Sequence, residues 1–191
     1  MKFSADPRVP RGWMVSPEWL RTADAEQEKV SGGMVALYPR QDYAEAMVVQ
    51  GGEPVEDLQY TLAFLGSDLS GLSPGDLPAV IGRIADTLPG VVKGRVFAHA
   101  TFNPDGGEDG TRDPCNVYLV GDCPDLTPLQ KAVVEVCIPR VPSMPDQHEP
   151  TTFHITASYA IQRLTYTGPV IFDRLTLAWA EQTHDFPLAE Y

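Results

Sequence analysis

Gln59-Tyr60-Thr61 and His154-Ile155-Thr156 each set a hydrogen-bonding side chain two residues before a threonine, within a run of β-forming residues. In a strand, residues i and i+2 point to the same face, so each run presents a polar pair to whatever the sheet encloses. A threonine hydroxyl can hold a phosphate oxygen, and a histidine carries a proton near neutral pH. Together these are the tools of phosphodiester transfer by acid–base chemistry. Gln59 offers an amide donor and acceptor but no titratable proton.

The elements that must position these pairs follow from the periodicity. Gly32-Gly33 releases the chain into a strand over Met34 to Pro39, and a short helical pattern over Asp42 to Gln50 ends at Gly51-Gly52-Glu53-Pro54. Leu58 to Leu65 is the first polar-pair strand. Pro74 to Leu88 carries Leu77, Val80, Ile81, Ile84 and Leu88 at helical spacing, with Asp76 as N-cap and Pro89-Gly90 as the stop. Val91 to Phe102 and Asn116 to Gly121 read as strands around a turn-rich acidic loop, Asn103 to Pro114. A helix over Leu126 to Ile138 follows, with Thr127-Pro128 as its N-cap and first helical residue. Thr152 to Ala160 is the second polar-pair strand. Val170 to Ala180 and Phe186-Pro187-Leu188 close the order, and each half places a polar-x-Thr strand beside another strand and a helix.

Composition narrows the function classes. Asp and Glu number 26 against 14 Lys and Arg, a net charge of −12, which disfavours a broad grip on duplex nucleic acid while leaving room for a small anion in a local basic pocket. Cys115, Cys123 and Cys137 are odd in number with no C-x-x-C pair, the pattern of reduced thiols in a cytoplasmic protein rather than a zinc site. No apolar run approaches the roughly 18 residues of a membrane helix, and no signal-peptide pattern opens the chain. Residues 1–30, with Trp13, Trp19 and a polar helix candidate over Pro17 to Lys29, read as an N-terminal extension to one domain over 31–191.

Tyr60-Thr61-Leu62-Ala63-Phe64-Leu65-Gly66 paired with Phe153-His154-Ile155-Thr156-Ala157-Ser158-Tyr159 resembles the two-histidine phosphoesterases, the superfamily of bacterial 2′-5′ RNA ligases and cyclic phosphodiesterases. The segments Gly51 to Leu58 and Asp146 to Pro150, just before the two tetrads, resemble actinobacterial and actinophage members in particular. The likeness runs from about Met34 to Leu188. It implies an α+β, bilobal, pseudo-symmetric fold whose two antiparallel sheets line a central cleft, with helices packed outside. It also implies metal-independent and cofactor-free chemistry, in which one histidine is general base, the other general acid, and the two Thr/Ser hydroxyls hold the phosphate. Carried over by position, His154, Thr156 and Thr61 match, and Gln59 stands in the place of the first histidine.

A lone His-x-Thr arises readily by chance in β-rich sequence, and a lone threonine there is an ordinary β-former. The second tetrad in a matching strand context is what gives the first its meaning. Tyr60 should point to the core, and His99, His148 and His184 lack a threonine two residues on, although His99 lies on a strand near the expected cleft. For a nucleotide, Tyr38 and Tyr159 are candidates for stacking and Arg40, Arg95 and Arg163 for charge. The function expected is hydrolysis or binding of 2′-5′ or 2′,3′-cyclic phosphodiesters in RNA ends or small cyclic oligonucleotides, with turnover impaired by Gln59. The alternatives are a non-catalytic protein of phage or host that sequesters a cyclic nucleotide, and an accessory module with a vestigial cleft.

Overall fold

A computed structural model describes residues 31–88, 90–105, 114–147, 152–160 and 162–188. The N-terminal segment with Trp13 and Trp19, His148 and the middle of the loop after Asn103 lie outside them. Residues Ser31–Tyr191 form one compact unit. Among the described residues, seven strands and three helices follow in the order β1 (Gly33–Pro39), α1 (Gln41–Met47), β2 (Tyr60–Gly66), α2 (Leu77–Thr87), β3 (Val92–Phe102), β4 (Cys115–Gly121), α3 (Leu126–Cys137), β5 (His154–Ser158), β6 (Gly168–Trp179) and β7 (Gln182–Pro187). Each except β7 was expected within a few residues of its observed bounds; of β7 only Phe186 and Pro187 were expected, and the short 3-10 turn Val55–Asp57 before β2 was not.

All pairings are antiparallel, and the strands run β2-β1-β6-β3-β4-β5, with β7 also on β6. β6 joins the two halves. Its first part, Gly168 to Phe172, pairs with Val92 to Val96 of β3, and its later part pairs with β1 and β7. The two sheets expected from the sequence are therefore two wings of one hydrogen-bonded path, one carrying β2 at its end and the other β5.

The helices cover one face. α2 turns Leu77, Val80, Ile81 and Ala85 inward, and α3 turns Leu126, Leu129, Val133 and Cys137, the spacing of an amphipathic helix. They meet Leu37, Leu62, Ile155, Phe172, Leu175 and Leu177 in one core. Burying each such side chain contributes about 1.5–3 kcal/mol. Tyr118 donates its hydroxyl to the Met47 carbonyl at 2.7 Å, fastening α1 to β4, and buried Trp179 donates its indole N–H to the Leu72 carbonyl at 3.1 Å.

Two helix starts differ from expectation. Asp76 stands at the N-cap of α2 but makes no capping bond; its carboxylate accepts from Arg140 Nε and Nη2 at 2.8 and 3.0 Å, tying the start of α2 to the end of α3. α3 begins at Leu126 with Asp125 in the cap position, which puts Thr127 and Pro128 inside the first turn. A proline there costs no hydrogen bond, because first-turn N–H groups have no helical partner. Among the described residues, no helix is long and apolar enough to cross a membrane.

Candidate functional site

β2 and β5 are the two ends of the strand path, yet they are neighbours in space. Three contacts hold them together. The Tyr60 and Phe153 rings meet edge to face, 5.6 Å between centroids, on the core side. Glu53 N–H, just ahead of β2, donates to the Ala157 carbonyl of β5 at 2.9 Å. Gln147, just ahead of β5, accepts from Phe64 N–H of β2 through Oε1 and donates to the Phe64 carbonyl through Nε2, both at 3.0 Å. The segment before each polar pair thus ties down the strand that carries the other pair. Gly52 is what lets the Glu53–Ala157 tie close: a Cβ there would sit 2.4 Å from the Ala157 oxygen.

The two strands share a second device. Thr61 pairs with Ala36 while Ala63 pairs with Val35, leaving Leu62 as an extra residue. Thr156 pairs with Val117 while Ser158 pairs with Asn116, leaving Ala157 extra. Each motif threonine is therefore followed at once by a β-bulge, an irregularity that re-aims side chains and is common beside active sites.

Alternation fixes the faces. Tyr60, Ile155 and Ala157 are buried, whereas Gln59, Thr61, His154 and Thr156 are half-buried, so both polar pairs look away from the core on adjoining strands. Gln59 Nε2 lies 3.1 Å from Met34 Sδ, and Thr61 Oγ1 reaches the same sulfur at 4.0 Å. A thioether is a weak acceptor, so both donors are aimed at one point and poorly satisfied there. His154 Nδ1 lies 2.7 Å from the Thr152 carbonyl. That oxygen can only accept, so Nδ1 carries the proton, and Nε2 of the neutral ring holds the lone pair. The Phe102 ring, 4.9 Å away and edge to face, fixes the imidazole from the side.

The remaining candidates scatter. Tyr38 lies on the Thr61 face, two residues from Ala36, but the Arg174 guanidinium covers its ring at 4.6 Å. Burial pushes the Tyr38 hydroxyl upward, and Arg174 opposes it. Arg40 is held at the start of α1 by Asp42 at 2.8 Å and lies over the Tyr43 ring. Tyr159 is exposed just past β5, Arg163 is exposed in the segment before β6, and Arg95 is exposed on β3. Opposite Tyr118, His99 reaches the Tyr166 carbonyl at 2.6 Å; His184 stands opposite buried Leu177. Neither joins His154. Sequence reasoning missed Arg174, which pairs loosely with Asp185 at 3.6 Å on the same face as Thr61, because nothing local distinguishes it from a solvated arginine.

Among the described residues, no three His, Cys, Asp or Glu side chains gather as metal ligands would. Burial pushes all three thiols upward, Cys137 to about 12, which leaves them poor nucleophiles.

No protein-family model matches the sequence, and no curated protein is significantly similar to it. Solved structures are. TT0787 of Thermus thermophilus superposes with a TM-score of 0.58 at 19% identity over 84% of this chain and 100% of that one. E. coli LigT complexed with 3′-AMP gives 0.51 at 17% identity, covering 84% and 97%. This chain has the LigT-like fold. Usb1 of Kluyveromyces marxianus superposes with a TM-score of 0.51 at 12% identity, covering 84% and 99%.

Proposed function

We propose that this protein is a phosphodiesterase that acts on 2′-5′ or 2′,3′-cyclic phosphodiester bonds at RNA ends or in small cyclic oligonucleotides with one histidine instead of two. The observation that carries the proposal is His154, whose Nδ1 is committed to the Thr152 carbonyl so that Nε2 is the free base beside Thr156. Nε2 takes a proton from water as its oxygen attacks phosphorus. The bond to the leaving ribose oxygen breaks, and that oxygen takes its proton from solvent, since Gln59 has none to give. Thr61, Thr156 and the Gln59 amide hold the phosphate oxygens. The binding of 3′-AMP by LigT, a fold relative, agrees with a nucleotide as ligand.

A second reading rests on Gln59 itself. Its amide and the Thr61 hydroxyl converge on a weak acceptor that a phosphate oxygen would displace, the arrangement of a binder that sequesters a cyclic nucleotide without turning it over.

Turnover of a ribo-oligonucleotide ending in a 2′,3′-cyclic phosphate separates the two. Slow hydrolysis by the wild type, lowered roughly 10²- to 10⁴-fold in His154→Ala, is the result expected of the enzyme. Tight binding without turnover supports the sequestering protein, and no binding of any nucleotide overturns both.

A further inference from the structure

The exposed face of β3 carries a feature the reaction does not use. Arg95 pairs across β4 with Gly121, two residues from Leu119, and Leu119 pairs with His154, so Arg95 lies on the His154 face of the sheet. Lys93, two residues back, shares that face. Between Val96 and Ala98 the register shifts and leaves Phe97 as the extra residue. Its ring lies over Gly121, where a Cβ would come within 3.0 Å of it, and Phe97 remains 58% exposed. One exposed ring alone is ordinary; beside cations on the same face it offers a surface on which a base can stack.

The cations beside it are equally unpartnered. Across β6, Lys93 and Arg95 face Ile171 and Pro169, and across β4 Arg95 faces glycine. Among the described residues neither makes an ion pair, although the chain has a net charge of −12 and Arg40, Lys131, Arg140 and Arg174 all do. Two free cations followed by an exposed ring, on one side of one strand, is the layout of a single-stranded nucleic-acid track: charges follow the backbone and a base stacks on the ring.

We infer that Lys93, Arg95 and Phe97 form a subsite for the nucleotides flanking the reacting phosphodiester, so that the ligand is an oligoribonucleotide rather than a mononucleotide. The inference rests on the proposed phosphate site at Thr61 and Thr156. Affinities for 3′-AMP and for a 3′-phosphorylated hexaribonucleotide test it, measured on the full chain. Phe97→Ala should weaken the hexamer about ten-fold. Lys93→Gln with Arg95→Gln should flatten its salt dependence by about 0.7 in log–log slope for each phosphate no longer neutralised. Neither should change 3′-AMP affinity by more than about two-fold, and Phe97→Tyr, which keeps the ring, should bind the hexamer like wild type; this separates lost stacking from lost folding. Unchanged hexamer binding in the variants, with 3′-AMP binding intact, would overturn the subsite alone. Failure of the wild type to bind 3′-AMP would overturn the phosphate site and the subsite with it.

Discussion

The β2 wing and the β5 wing use the same backbone device and different chemistry. In both, a polar residue and a threonine precede a bulge, at Leu62 and at Ala157, and in both the strand is tied by the segment that leads into the other. Around Gln59 and Thr61, however, the floor is the Met34 thioether with the Tyr38, Arg174 and Asp185 set beside it. His154 and Thr156 instead stand opposite Leu119 and Val117, with Phe102 against the imidazole. In the proposed reaction, holding a phosphate and moving a proton are therefore separable duties. The geometry that aims the threonines is duplicated, and the proton carrier is present once.

The difference can be broken from either side. The largest effect expected is on turnover: His154→Ala removes the base and costs roughly 10²- to 10⁴-fold, whereas Gln59→Ala removes only a donor and costs less than about ten-fold. Comparable losses in single-turnover rates would mean that the two positions are not distinct in role. Next come the threonines. Thr61→Val and Thr156→Val should each weaken 3′-AMP binding by about ten-fold, through one lost hydrogen bond to a charged oxygen. A loss at one threonine only, seen by calorimetry, would break the symmetry claimed for the phosphate site.

Smaller effects address the reciprocal ties. Gln147→Ala removes both bonds to Phe64 and should cost about 1–2 kcal/mol, with faster amide exchange in β2 rather than β5. Gly52→Ala places a Cβ against the Ala157 oxygen and should loosen β5 instead. Exchange that rises equally in both strands in both variants would show that the ties are not strand-specific.

The smallest effect lies outside both polar pairs. Arg140 holds the Asp76 carboxyl below the usual carboxylate range. A carboxyl so lowered adds stability above its unfolded-state value and loses it as the pH falls through the folded one. Arg140→Ala should therefore lower the thermal midpoint modestly at neutral pH, and the gap from wild type should close in acid.

How much of this was legible in the sequence follows from the range of each interaction. α2 and α3 show their buried faces in the spacing of Leu77, Ile81, Leu129 and Val133, and the strands show themselves as β-rich runs between turn residues. Tyr60 could be sent to the core, and His154 paired with Thr156, by alternation alone. The bonds from Glu53 to Ala157 and from Gln147 to Phe64 have no local signature, because each joins residues on separate elements far apart in the chain. The bulges at Leu62 and Ala157 depend on the partner strand's register. Phe97 looks like an ordinary strand residue until the register shift puts it over Gly121.

The central claim is that position 59 lacks only its proton carrier, in a site otherwise set for phosphodiester chemistry. Gln59→His, assayed on an oligoribonucleotide with a 2′,3′-cyclic phosphate, tests it most directly. The rate should rise roughly 10²- to 10⁴-fold, and His154→Ala should abolish the gain. No gain in a folded variant that still binds 3′-AMP would contradict it.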